Sequence, residues 1–413
     1  MLAMLTLESL PSIRWMYKRF HTSLMPASIN SYYRCLKTDT INDWSITAQL
    51  LRIALSSIPT SLANEPLFIS IDDTIISKAG KHFDCVSKLF DHAMHNGTSY
   101  VNGHCFVSLM LSVPIEICRR YGSPSIRYIH VPIAYKLWAG EKTKLEIAAE
   151  LTKAAMKELI GKRVFLLCDS WYPKKTFINN VLSEDGLEII CNVRSDTAIY
   201  DLPPAHNGKR GRPRKRGEKL SLDDIELSYE DGNFKMGHRQ VKTNTFGERT
   251  VEAYVTVSES GAKRLFICTA KPPEIMMNCA AQEDSSLRVS DKMQRKFLPM
   301  KLYNFRWNIE ISYYEQKTFW SLEKYMVRRQ CSIERILNLI CVAHASMRLL
   351  PYIDEHFAKY KDCSSQELRL VVSRHIYNEI FLSRLLCSAK NAINSSTFIN
   401  RLCDIVHYCL RLA

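Results

Sequence analysis

Two short apolar runs, each closing on an acid, predict an α/β protein built on a mixed sheet flanked by helices. The first is Leu67-Phe68-Ile69-Ser70-Ile71, followed by Asp72-Asp73-Thr74; the second is Val164-Phe165-Leu166-Leu167-Cys168, followed by Asp169. Buried strands read as near-continuous apolar runs, and this length suits strands rather than helices. Between them, Lys144 to Leu159 carries Leu145, Ile147, Ala148, Leu151, Ala155 and Leu159 at helical spacing, with Gly161 as the stop.

The remaining elements follow in chain order. Residues 1 to about 62 read as helical, clearest from Trp44 to Ile58, with Arg14, Lys18 and Arg19 adding charge. This region suits a DNA-contacting module or a packing lid. His104 to Ile117 and Ile126 to Trp138 are β-like and are separated by Arg-Arg-Tyr-Gly-Ser-Pro, which predicts an antiparallel pair. Pro173 opens a short helix through Leu182. From Gly186 to about Pro272, short alternating runs between turn residues predict a β-rich insertion. Glu274 to Ser290 is a polar connection. Ser332 to Leu350 is a strongly apolar helix, and the chain beyond Pro351 is helical with mixed charge.

A chain of 413 residues is long enough for two or three domains and a large core. The net charge of +14 and a pI near 9.1 favour a polyanionic partner. The late apolar window from Ile336 to Leu350 is interrupted by Asn338, His344 and Arg348 and reads as too short and too polar to span a bilayer. A membrane partner is thereby demoted, and nucleic acid leads. The 14 cysteines are scattered without a CxxC pair, as in an intracellular protein with reduced thiols. His82, Cys85, His92 and His95 cluster without a second ligand pair, a weak zinc signal.

The stretch from Tyr303 to Lys317 organises the functional reading. At about 100° per residue, Tyr303, Arg306, Glu310 and Lys317 fall within an arc of about 60° on one helix face. Lys324 and Arg328 would extend that stripe if the helix continued. Phe305, Ile309, Ser312 and Phe319 lie on the other side and suit packing on a sheet. Alone, such a helix face is usually a solvated ion-pair surface. The two strand-end acids change the balance. Three carboxylates drawn together repel, and a divalent cation relieves them. Oxygen ligands select Mg²⁺ or Mn²⁺, and two such ions can drive an in-line displacement at phosphorus. Adjacent strand residues face opposite ways, so Asp72 and Asp73 cannot both turn toward the metal, and the apolar run does not choose between them.

Tyr303-x2-Arg306-x3-Glu310-x6-Lys317 resembles the signature of one group of DDE transposases from bacterial insertion sequences. The Asp-Asp-Thr and Leu-Leu-Cys-Asp-Ser runs are similar to that group's first and second acid motifs. The resemblance covers roughly residues 65 to 350. It implies an RNase H-like catalytic core in two parts, 63–185 and 291–350, interrupted by the β-rich insertion at 186–290. Helical regions at 1–62 and 351–413 flank it. It implies Asp73, Asp169 and Glu310 as catalytic, metal-holding acids, with Asp73 favoured because it directly precedes the Thr. It also implies Mg²⁺ or Mn²⁺, as two ions, and Tyr303, Arg306 and Lys317 on phosphates near the cut. The activity implied is metal-dependent cleavage at element ends followed by strand transfer. The expected partner is double-stranded DNA, bound by a homodimer holding paired ends, and the expected location is cytoplasmic, at the nucleoid. The amino-terminal region is short for a full end-recognition domain.

Other readings compete. Arg210-Gly211-Arg212-Pro213, in a loop that continues through Arg214, suits either an AT-hook-like minor-groove contact or a solvated basic loop. Trp171 and Tyr172 are read chiefly as core, with base stacking as the alternative. A catalytically inactive DNA-binding derivative, or a related nuclease without strand transfer, are the alternative functions.

Overall fold

The computed structural model describes the chain except residues 8, 11, 21–26, 39–42, 81, 91–99, 118–124, 205–213, 272–295 and 392–413. His92, His95, Arg210 and Arg212 fall outside the described residues. The elements in chain order are α1 (Leu2–Thr6), α2 (Ile13–Arg19), α3 (Ile29–Cys35), α4 (Asp43–Ser56), β1 (Leu67–Ser77), β2 (Ser87–Phe90), β3 (Tyr100–Ile117) and β4 (Ser125–Leu137). Then come α5 (Lys144–Glu158), β5 (Val164–Cys168), α6 (Lys175–Val181), β6 (Leu187–Val193), β7 (Ile199–Tyr200), β8 (Lys219–Leu220), β9 (Leu227–Asp231), β10 (Phe234–Thr243), β11 (Val251–Ser258) and β12 (Lys263–Cys268). The chain closes with α7 (Leu298–Tyr303), α8 (Trp307–Phe319), α9 (Gln330–Ile353) and α10 (Ser365–Asn391). The fold is mixed α/β, with a large mixed sheet flanked by helices, as the apolar runs predict. Two compact units result: residues 1–50, 75–105 and 312–413 form one, and residues 51–74 and 106–311 form the other.

The sheet of the second unit runs β4-β3-β1-β5-β6-β12-β11-β10. β1, β5 and β6 are parallel, and Leu67 to Ile71 pairs with Val164 to Cys168 in register. β3 and β4 form the antiparallel hairpin predicted from sequence. The strands after Gly186 extend this same sheet, because β12 pairs with β6 and β11 with β12. α5 begins with a capping box in which Thr143 and Glu146 satisfy each other's backbone N–H. It ends before Gly161, whose φ of 75° suits glycine.

Strand alternation decides what the sheet's faces carry. Phe68, Phe165, Leu167, Ile190, Tyr254 and Phe266 share one core cluster with Leu298, Met300 and Leu302 of α7. Phe305 packs into it, 5.0 Å from the Phe68 ring and 5.1 Å from Tyr128. Truncating Phe68 would cost about 3–5 kcal/mol. This aromatic nest fixes the chain where it turns from α7 into α8, and so sets the position of Arg306.

The first unit is mainly helical. Ser12 caps α2 by accepting from the Trp15 N–H. Arg335 of α9 binds Asp43 at 2.8 Å and the carbonyls of Cys35 and Thr38, tying the amino-terminal helices to α9. Arg369 of α10 donates to the carbonyls of Phe319 and Leu7. Gly103 lets β3 pass close by β1, since a Cβ there would strike the Ile76 carbonyl. α9 has 24 residues and, by length and composition, is long and apolar enough to cross a membrane, which corrects the reading from the shorter window. Its Ile333, Leu337, Ile340, Cys341 and Ala345 are buried within the unit.

Two expectations about the signature stretch are corrected. It is not one helix: α7 and α8 are joined by a 3-10 turn at Asn304–Arg306. Nor does α8 continue to Lys324 and Arg328. It stops at Phe319, where Trp320 is fully buried and Ser321 takes a φ of 58°. Phe319, expected on the packed side, is 39% exposed.

Candidate active site

Parallel register builds the acid cluster. The last registered pair is Ile71 opposite Cys168, so the next residues, Asp72 and Asp169, stand side by side on neighbouring strands. Asp72 lies two residues beyond Ser70 and four beyond Phe68, on the face that carries the aromatic nest. β1 does not end at the acids, as the sequence suggested, but runs on to Ser77.

Arg306 is the hub of this face. It donates to Asp72 Oδ2 at 3.2 Å and to Glu310 Oε1 at 2.6 Å. The Arg306–Glu310 pair spans one helical turn. Burial penalises the guanidinium charge, but Tyr303, Glu310 and Asp72 more than offset that. Tyr303 donates to the Cys168 carbonyl at 3.4 Å, and its burial raises the phenol above its ordinary range.

The aspartates strain against their surroundings. Burial, and then the charge of Asp169, push Asp72 up to about 7, although Arg306 and the Asp73 N–H pull the other way. Asp169 is also raised, by burial first and by Asp73. Its Oδ1 accepts the Trp171 N–H at 3.0 Å. Asp73 faces a different set of groups: Lys144 at 2.9 Å and the Tyr172 hydroxyl at 3.0 Å. The structure therefore joins Asp72, through Arg306, to Glu310, and gives Asp73 to the start of α5. Sequence left Asp72 open against Asp73, read Tyr172 chiefly as core and gave Lys144 no role, since strand parity and the folding of α5 onto the sheet are not written in any local spacing.

A cavity of about 690 Å³ opens beside Asp169 and Arg306. Its walls include Arg194, Lys263, Arg264, Lys301, Asp231 and the exposed indole of Trp307, with more cations than acids, although Arg194, Lys263 and Lys301 are ion-paired with Asp196, Asp223 and Asp231. Such walls suit a phosphate backbone. In the first unit, Lys317 bonds the Ile75 carbonyl at 3.2 Å and pairs with Glu323 at 3.4 Å. Lys324 and Arg328 are exposed there, off any helix, and Arg214 is exposed in the second unit.

Residues 4–250 match the DDE superfamily endonuclease family. The chain belongs to that family. The matched span contains Asp72, Asp73 and Asp169 and stops before Glu310. No curated protein matches the chain. Membership in the DDE superfamily supports a nuclease with transposase-like DNA cleavage, and DNA as its substrate. Nucleases of this superfamily generally use divalent metals. The donors are carboxylate oxygens of the kind a hard divalent cation takes, and burial together with a neighbouring carboxylate, Asp169 for Asp72 and Asp73 for Asp169, raises two of them, a penalty such a cation would offset. Among the described residues, no trio of His, Cys, Asp or Glu closes to metal-holding distance, and Arg306 occupies the space between Asp72 and Glu310.

Proposed function

We propose that this DDE endonuclease is a transposase of the insertion-sequence kind, cutting DNA at element ends and joining the freed 3′ end to a target. The observation that carries the reading is the placing of Asp72 and Asp169 directly after Ile71 and Cys168, the last registered pair of two parallel strands, with Glu310 drawn to the same face by Arg306. The spacing of Tyr303, Arg306, Glu310 and Lys317 supports it, as does family membership.

On this reading Asp73, Asp169 and Glu310 hold Mg²⁺ or Mn²⁺. Bound there, such a cation would supply a polarised water or hydroxyl and charge stabilisation for the leaving oxygen. Asp72 is the carboxylate that parks Arg306 beside Glu310. Arg306 offers its guanidinium to a phosphate oxygen, a bidentate match that lysine lacks. Tyr303, fixed by Cys168, limits where the phosphate lies. The basic cavity accepts the strand beyond the cut, and Lys317 with Arg214, Arg210 and Arg212 adds backbone contacts. A homodimer holding two ends suits strand transfer.

The experiment is a nicking and strand-transfer assay on the DNA that flanks the gene, read first for short inverted repeats, with Mg²⁺ or Mn²⁺. Cleavage at the repeat ends with 3′-hydroxyl products that join to target DNA is expected. Cleavage without joining would reduce the reading to a nuclease. No metal-dependent cleavage of any such DNA would remove it.

A further inference from the structure

Trp171 lies two residues after Asp169 and is 37% exposed, whereas its neighbour Tyr172 is fully buried. The sequence reading placed both chiefly in the core; the structure separates them. The indole packs edge-on against the Tyr172 ring at 5.1 Å, and the Trp171 backbone N–H is held by Asp169 Oδ1. Two ammonium groups lie against the ring: Lys144 Nζ at 4.3 Å and Lys174 Nζ at 4.4 Å from its centroid.

Like charges gathered at one ring repel, and the ring's quadrupole only partly repays them. Lys144 is further compensated by Asp73. Among the described residues no carboxylate forms an ion pair with Lys174, and Lys175 beside it is exposed as well. Lys174 thus brings an ammonium group without an ion pair among the described residues to a ring next to the acids. Lysines already ordered on a ring lose less rotamer freedom when they bind an anion than lysines in solvent do.

We propose that Trp171 braces Lys144 and Lys174 into a clamp for a backbone phosphate of the DNA strand lying at the acid cluster. This rests on the DNA-cleaving reading above. It adds a positioning device that belongs neither to the Tyr-Arg-Glu-Lys signature nor to the basic loop. The clamp's specificity is for phosphate, so it acts on any sequence.

Salt titration tests it without catalysis. Full-length protein in EDTA is titrated against a 30-base-pair duplex and its separated strands, with affinity measured from about 50 to 200 mM salt. Each phosphate contact contributes about 0.9 to the log–log slope for duplex and about 0.7 for single strands. Lys174→Gln should lower the slope by that one contact. Trp171→Ala should weaken binding about two- to fivefold at fixed salt, and Trp171→Phe should recover part of the loss. Lys157→Gln, at the far end of α5, should leave the slope unchanged. Thermal unfolding of each variant separates these effects from misfolding. An unchanged slope in folded Lys174→Gln overturns the clamp while DNA binding by the parent protein stands. A parent protein that does not bind DNA overturns the underlying reading as well.

Discussion

Glu315 and Asp72 are nearly equal in side-chain exposure, at 17% and 16%, yet they ionise in opposite directions. Glu315, within the helical unit, is penalised by burial, but His344 at 2.8 Å and Arg348 at 2.6 Å hold it down to about 2. Asp72 has Arg306, but it also has Asp169 beside it and Asp73 next in the chain, and it rises to about 7. Burial is common to both; partner count is not. A carboxylate matched by its own donors is structure. Carboxylates pressed against one another leave a deficit of positive charge, and an outside cation can fill it.

The sharpest way to break this comparison is to neutralise the acids. Asp73→Asn, Asp169→Asn or Glu310→Gln should each reduce metal-dependent cleavage by more than about 10³-fold, equivalent to ~4 kcal/mol in the barrier. Each is isosteric and should leave the fold intact: Asp169→Asn removes a charge that raises Asp72, and Asp73→Asn and Glu310→Gln each give up one part-exposed ion pair, with Lys144 and Arg306. Asp72→Asn should cut less, because it loosens Arg306 rather than removing a ligand. Single-turnover nicking rates decide the order. If Asp72→Asn is the more damaging of the β1 pair, the ligand's role passes to Asp72, as face alternation alone would assign it.

The matched carboxylate should behave in reverse, with stability changing rather than catalysis. Glu315→Gln removes the charge that Arg348 pairs with and leaves one amide oxygen to serve both His344 and Arg348, at a cost of about 2–3 kcal/mol by chemical denaturation. The pH dependence follows the same logic. Glu315 falls to about 2 from an ordinary 4.5, and burial first of all depresses His344 to about 4 from 6.5. Both groups bind more protons unfolded than folded between their two values. Stability they provide is therefore present above pH 6.5 for His344 and above 4.5 for Glu315, and drains away as pH falls toward 4 and 2. Denaturation midpoints measured from pH 7 to pH 4 should fall steadily, and His344→Gln should flatten the upper part of that curve.

Much of this was legible in the chain because the decisive patterns are local. The runs Leu67–Ile71 and Val164–Cys168 fill both sheet faces, so they read as buried strands. Leu145, Ile147, Ala148, Leu151 and Ala155 recur at helical spacing, and Gly161 follows the helix's end. What escaped depends on partners distant in sequence. The side to which Asp72 points follows from Phe68 packing on Phe305, 237 residues later by number. The end of α8 is set by burial of Trp320 against Arg369, not by a helix breaker. Helical spacing carried to Lys324 and Arg328 could not register that stop. The continuity of the sheet through β6 and β12 was likewise invisible, because alternating strands look the same whether they begin a new sheet or extend an old one.

The smallest effect expected is the most discriminating for Asp73. The Tyr172 hydroxyl donates to Asp73 Oδ1, while Lys144 holds Oδ2. Tyr172→Phe keeps the buried ring and removes one hydrogen bond, which contributes about 0.5–1.5 kcal/mol. Were Asp73 a structural acid of the Glu315 kind, that loss would appear in the denaturation free energy and leave cleavage unchanged. If Asp73 is a ligand-bearing acid, the hydroxyl serves to orient it, and the same substitution should slow nicking by up to about tenfold with a smaller change in stability. Measuring both quantities on the one variant places Asp73 on one side of the comparison or the other.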